Sequence, residues 1–182
     1  MNETNDNLKK ENYNVGSTDE TALYFYTKGN YGWSLKGNDC EVKGHLKIKK
    51  ISLAMTITKE KVLGYMLKRG SFNSKFFNKF MMKVDKNNTK IKKLMDNAKI
   101  HHAKCLNKKI KESIIFNVPY YSKFNPIEMY FNTLKRYLSQ NYICSMSSLR
   151  RHIDFFISKT TPIELSNYFS KAFGMLKDSI NA

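Results

Sequence analysis

Val118-Pro119-Tyr120-Tyr121-Ser122-Lys123-Phe124-Asn125-Pro126-Ile127-Glu128 decides the reading of this chain, because it joins an apolar strand to a helix whose first turn carries a carboxylate. Asn125 is a good N-cap and Pro126 a good first helical residue, and an acid at the third position complements the helix dipole. That grammar alone is ambiguous. Thr161-Pro162-Ile163-Glu164 repeats it with nothing around it that points to catalysis. What sets Glu128 apart is its company upstream.

Ile114-Ile115-Phe116 with Val118 reads as a buried strand, and Ala103, Leu106 and Ile110 mark a short basic helix before it. Ile91 and Leu94-Met95 make an earlier strand, so Asp96, in Asp96-Asn97-Ala98 with His101 shortly after, stands at its C-terminal edge. Phe72, Phe76, Phe77, Phe80 and Met81 recur at helical spacing, as in an amphipathic helix packed on a sheet. Ile51, Leu53, Met55 and Ile57 alternate with Ser52, Ala54, Thr56 and Thr58, which predicts a strand with one buried face. Val62 to Leu67 is the next strand, ended by Gly70-Ser71, and Tyr24-Phe25-Tyr26 and Tyr31-Gly32-Trp33 read as aromatic strand segments around Gly29-Asn30. A further acid, Asp19, lies in Ser17-Thr18-Asp19-Glu20-Thr21; Ser17 and Thr18 make a poor buried strand before it, and Glu20 competes for the same role.

Downstream, Ile127, Phe131, Leu134 and Leu138 give the helix opened by Glu128 its apolar face and turn Lys135 and Arg136 elsewhere. Leu149, Ile153, Phe156 and Ile157, then Leu165, Phe169, Ala172, Phe173 and Leu176, mark two more helices that cap the C-terminal end. Residues 1–12 are polar and aperiodic and read as a disordered tail, with residues 13–182 as one domain.

The 182 residues are 41% hydrophobic and 13% aromatic, enough for a real core. Lys+Arg 32 against Asp+Glu 15 gives +17 and a pI near 9.7, which makes a polyanion the default partner. The runs Lys47 to Lys50, Lys90 to Lys93 and Lys108 to Lys111 supply a phosphate-binding surface. No apolar run approaches the roughly 18 to 20 residues that span a bilayer, and the first dozen residues hold no secretory signal. Cys40, Cys105 and Cys144 are odd in number and widely spaced, which fits buried thiols in a reducing compartment.

Acids on the first strand, the fourth strand and a late helix point to metal-assisted phosphoryl chemistry. Mg²⁺ prefers oxygen ligands and takes one or two carboxylates, leaving room for water and phosphate. Two such ions roughly 4 Å apart activate an attacking oxygen and stabilise a leaving one.

Taken together, the segments resemble the catalytic domain of DDE transposases of the mariner-type superfamily, including its bacterial insertion-sequence relatives. The family's first acid lies in an Asp-Glu pair, as at Asp19-Glu20, followed by Gly-Trp and a later Gly, as at Gly32-Trp33 and Gly37. Its second opens Asp-Asn-Ala with a nearby His, matching Asp96, Asn97, Ala98 and His101. Its third ends Pro-x-Tyr-Ser-x-x-Asn-Pro-Ile-Glu, matching Pro119, Tyr121, Ser122, Asn125, Pro126, Ile127 and Glu128. The resemblance implies an α/β, ribonuclease-H-like fold: a mixed five-stranded sheet flanked by helices, with the extra C-terminal helices added. It also implies that Asp19, Asp96 and Glu128 bind two Mg²⁺ or Mn²⁺ ions, supported by Asn97, His101, Asn125, Lys135 and Arg136. Water would cut a phosphodiester at a transposon end, and the freed 3′ hydroxyl would attack target DNA. DNA is then the partner, with a homodimer or another transposase chain and no membrane. The location would be nuclear in a eukaryotic host and cytoplasmic otherwise.

Three departures accompany the match. The Asp96 to Glu128 spacing is shorter than the family's usual one, Lys123 replaces a proline, and only a short segment precedes Asp19 where relatives carry helix-turn-helix modules. The expectation is a truncated element copy without terminal-repeat recognition. A rival expectation is an inactive or domesticated domain that holds nucleic acid through its basic surface; a third is an unrelated basic RNA-associated protein.

Overall fold

Eleven residues of β1 (Asn14–Tyr24) form the middle strand of the sheet, and everything that positions the acids hangs on them. A computed structural model describes residues 14–24, 34–38, 50–86, 88, 90–102, 106–117, 125–141, 143 and 145–180. β2 (Lys50–Thr58) and β3 (Val62–Arg69) follow as an antiparallel meander, β2 pairing with β1 and β3 with β2. Gly70 ends β3 at φ 75°, a left-handed conformation that glycine adopts without a Cβ penalty. Helix α1 (Ser74–Asp85), capped by the Asn73 side chain on the Phe76 N–H, then crosses to β4 (Ile91–Met95), which lies parallel to β1 on its other side. A single 3₁₀ turn (Lys99–His102) and α2 (Lys108–Ser113) lead to β5 (Ile114–Phe116), parallel to β4. The strand order β3-β2-β1-β4-β5 is the mixed five-stranded, ribonuclease-H-like arrangement that the family resemblance implied.

Helices cover both faces. Leu23, Ile51, Leu53, Met55 and Ile57 pack against α3 (Pro126–Ser139), α4 (Met146–Lys159) and α5 (Pro162–Ile180) through Ile127, Phe131, Leu134, Ile153 and Phe169. On the reverse face Ala54 and Met95 meet Phe77, Phe80, Met81 and Val84 of α1, with Leu106 and Ile110. β2 is therefore buried on both faces, whereas its alternation predicted one; small Ser52, Ala54 and Thr56 leave the room that α1 fills. β5 departs the other way. It is a three-residue edge strand, half-buried, with Phe116 exposed.

The Lys90 to Lys93 run is also corrected. Lys93 is fully buried, paired with Asp85, and within 3.2 Å of the Ser113 hydroxyl, so it belongs to the core and offers nothing to phosphate. Lys90, Lys108, Lys109 and Lys111 are exposed. The tail 1–12, the aromatic segments Phe25–Tyr26 and Tyr31–Trp33, Lys47 and Lys49, Ala103, the three cysteines and Val118 to Phe124 lie outside the described residues. Among the described residues no helix is long and apolar enough to cross a membrane.

Candidate active site

Register alone brings two of the acids together. β1 and β4 run parallel with Ser17 beside Leu94; carried two residues further, that pairing sets Asp19 beside Asp96, where β4 ends. Residues i and i+2 of a strand share a face. Asp19 therefore projects with Ser17 and with its β2 partner Met55 toward the layer that contains α3.

The start of α3 supplies the third acid through an unusual cap. Asn125 occupies the N-cap position but makes no side-chain cap bond. Its amide Nδ2 instead donates to Asp19 Oδ2 at 3.1 Å, and its Oδ1 accepts from the Ser17 hydroxyl. Ser17 Oγ in turn accepts from the Ile127 N–H at 3.2 Å, replacing in trans the cap that Asn125 gave up. Ser17 and Thr18, expected to make a poor buried strand, are both fully buried: Ser17 bonds α3 and Thr18 bonds Thr56 at 2.8 Å. Polar strand residues tolerate burial when each finds a partner. Glu128 sits in the first turn, half-buried, and among the described residues no hydrogen-bond partner takes its carboxylate.

Glu164, with the same local sequence grammar, behaves differently. Its carboxylate reaches back to the Thr161 N–H at 2.9 Å while its own N–H donates to Thr161 Oγ1 at 3.2 Å, a closed capping box.

The second acid is held from behind. His101, 1% exposed, lies against the Phe77 ring at 4.6 Å. Its Nδ1 is 2.9 Å from Asp96 Oδ1, and its Nε2 is 3.3 Å from both Glu20 oxygens. Burial alone would strip the ring of its proton, yet the hydrogen bonds to Asp96 and Glu20 prevail and push its pKa up to about 10. The His101 hydrogen bond in turn lowers the Asp96 pKa, with a further bond from the Ala98 N–H at 3.1 Å. Asp19 and Glu20 were rivals for one role; Glu20 faces His101, and Asp19 faces Asn125 and α3.

Asp19 carries the electrostatic signature of the site. It is 8% exposed, and its pKa rises to about 7, first from burial and then, against the Glu20 N–H bond, from the charges of Asp96, Glu128 and Glu20. Carboxylates from remote stretches of the chain are thus near enough for the charges of Asp96 and Glu128 to be felt at Asp19. Oxygen donors and uncompensated negative charge suit a hard divalent cation. Among the described residues no three His, Cys, Asp or Glu side chains close to coordination distance. The fit is therefore to an ion held by one or two carboxylates, with water and phosphate completing its shell, the habit of Mg²⁺.

The structure thus gathers Asp19, Asp96, Glu128, Asn125 and His101, and leaves Lys135 and Arg136 exposed on the outer side of α3. Asn97 braces the end of β5, donating to the Asn117 carbonyl at 3.0 Å. Ser17 escaped the sequence reading; the one signal available was its place two residues before Asp19 on the same strand face.

Comparison with solved structures matches this architecture to the Mos1 mariner transposase. The Mos1 mariner paired end complex with Mn superposes with TM-score 0.72 at 15% identity, covering 94% of this chain and 56% of that one. The pre-cleavage Mos1 transpososome gives 0.71 at 16%, with coverage of 94% and 56%. The isolated catalytic domain of Mos1 mariner transposase gives 0.67 at 14%, with 94% and 83% covered. The chain thus spans just over half the length of the transposase chains in those complexes, and at these identities the likeness is one of fold. No curated protein sequence matches. Membership comes from the sequence itself: the model of the DDE superfamily endonucleases matches residues 14–150, a stretch that begins with β1 and holds all three acids, and the chain belongs to that superfamily.

Proposed function

We propose that this chain is the catalytic domain of a mariner-type DNA transposase, an endonuclease and strand transferase in which Asp19, Asp96 and Glu128 hold two Mg²⁺ or Mn²⁺ ions. One observation carries it: buried Asp19, level with Asp96 where the neighbouring strand ends, is bonded by Asn125 at the start of the helix whose first turn holds Glu128, and burial with the charges of Asp96 and Glu128 pushes its pKa up. Divalent ions bound there would supply an activated attacking oxygen and a stabilised leaving oxygen. The Mos1 relatives support that choice, solved as paired end complexes with Mn and with Mg.

The chain's own residues prepare the site. Ser17 and Asn125 fix Asp19 relative to the α3 start, and so relative to Glu128. His101 and the Ala98 N–H both hold Asp96 through Oδ1. Lys135 and Arg136, exposed beyond Glu128 on α3, contact the DNA backbone, and the net charge of +17 draws the polyanion in. A second copy of the chain is the expected partner, a reading supported by the Mos1 relative solved as a paired-end complex with left transposon end.

Purified protein should nick supercoiled DNA with Mg²⁺ or Mn²⁺, and Asp96→Asn should abolish the nicking while leaving salt-sensitive DNA binding in place. Cutting without a metal, or cutting retained by Asp96→Asn, would overturn the assignment. That no three His, Cys, Asp or Glu side chains among the described residues are placed to hold a metal ion favours one alternative, a DNA-holding domain without catalysis. DNA affinity that ignores divalent ions and survives Glu128→Gln, with no nicking at any metal concentration, would establish it.

A further inference from the structure

Asp19 and Asp96 share one further partner, Glu20, which reaches the first acid by its main chain and the second through its side chain. Its N–H donates to Asp19 Oδ1 at 2.7 Å. Successive strand residues point to opposite faces of a sheet, so Glu20 turns away from the α3 layer that Asp19 faces and toward α1. There its carboxylate, 16% exposed, has both oxygens 3.3 Å from Nε2 of His101, whose buried ring lies 4.6 Å from the Phe77 ring of α1. The opposite ring nitrogen, Nδ1, is 2.9 Å from Asp96 Oδ1 and 3.1 Å from the Asp96 carbonyl oxygen.

A closed clasp results. It runs from Asp19 through the Glu20 peptide, the Glu20 carboxylate and the imidazole to Asp96, and the parallel pairing of β1 with β4 is its other side. Ionised carboxylates accept and do not donate, so the ring between Glu20 and Asp96 gives each of them one N–H. Without the Glu20 carboxylate a buried ring N–H has lost its acceptor, a penalty that the imidazole relieves by turning off Asp96. Facing the reverse layer, Glu20 is placed to orient the acids and not to join them around an ion.

We infer that Glu20 is a positioning residue for the metal site: through His101 it fixes Asp96, and through its N–H it fixes Asp19, so the two carboxylates keep one relation before any ion arrives. This rests on the metal-dependent reading above and adds to it an acid that acts from behind the site.

The test reads metal binding apart from cutting, as the calorimetric Kd for Mn²⁺ on the DNA-free chain. The Mn²⁺ concentration for half-maximal nicking and the DNA affinity in Ca²⁺ are measured beside it. Glu20→Ala should raise both metal values about tenfold and leave DNA affinity as in the wild type. Glu20→Asp, too short to reach Nε2, should do the same and serves if Glu20→Ala does not fold. Glu20→Gln keeps an acceptor oxygen for the ring and should recover most of the loss. His101→Asn keeps a donor near the place of Nδ1 but none toward Glu20, so adding Glu20→Ala to it should cost nothing further. A Mn²⁺ Kd untouched by Glu20→Ala and Glu20→Asp makes Glu20 structural only and overturns the inference. Losses that add in the double variant, with no rescue by Gln, overturn it too, by making Glu20 a ligand in its own right. Either result leaves the metal-dependent reading intact. A wild type that binds no Mn²⁺ and nicks no DNA overturns that reading, and the role of Glu20 with it.

Discussion

The Ser17 hydroxyl serves two acids at once: it accepts from the Ile127 N–H at the start of the Glu128 helix and donates to Asn125, which bonds Asp19. Removing it leaves a buried N–H and a buried amide oxygen short of partners. Ser17→Ala should therefore cost about 1–3 kcal/mol in urea unfolding, and it should slow nicking on the order of 10- to 100-fold as Asp19 and Glu128 lose their fixed relation. Unchanged nicking in a destabilised but folded variant would make Ser17 a structural residue only. Asp96 and Glu128 stand out in the sequence because each sits inside a motif with its own spacing, whereas Asp19 shared its place with Glu20. Ser17 does not stand out, since its partner lies 108 residues away and a serine in a strand looks like a solvent-facing residue until that partner is known.

At the scale of elements, α3 and α5 begin alike, with Pro at the first position and Glu at the third, and they diverge in what the acid does. Glu164 closes a capping box; among the described residues the Glu128 carboxylate takes no hydrogen-bond partner. Glu164→Ala should cost about 1 kcal/mol of stability and leave nicking unchanged, whereas Glu128→Gln should leave stability within about 0.5 kcal/mol and abolish nicking. Thermal melts and a nicking assay on the same two proteins decide it, and the opposite pattern would move the chemistry away from α3. The helices were readable because one apolar stripe at a period of 3.6 is enough to place Phe77 and Phe80, or Leu134 and Leu138, inward. Strand burial was less readable. Alternation in β2 reports large residues on one face, but Ala54 on the other is buried by Phe77 and its neighbours, and a small side chain carries no sign of that.

For the whole molecule the same site should set how stability responds to pH. Asp19 has a folded pKa of about 7 against 3.8, so folding keeps its proton where the unfolded chain has lost it; stability from this group falls as pH rises from about 4 to 7, by on the order of 4 kcal/mol. His101, raised from 6.5 to about 10, contributes stability that is complete below 6.5 and lost as pH rises toward 10. Asp96, lowered, works in the other sense and loses its contribution only on acidification below the ordinary carboxylate range. Between pH 5 and 9, with chelator present, the protein should therefore become progressively less stable. A divalent ion that binds only the folded state opposes this by RT ln(1 + [ion]/Kd), and it binds better as Asp19 ionises. Mn²⁺ should then raise Tm more at pH 8 than at pH 5. Asp19→Asn should flatten the acidic half of the profile, remove the Mn²⁺ shift, and be more stable than the wild type at pH 8 in chelator. Composition announced the basic surface of this molecule and could not announce the buried acid within it, because a net charge of +17 says nothing about carboxylates whose charges reach Asp19 only when β1, β4 and α3 pack together. A Tm shift by Mn²⁺ that is equal at both pH values, or that persists in Asp19→Asn, would place the ion elsewhere and separate the Asp19 carboxyl from the metal chemistry.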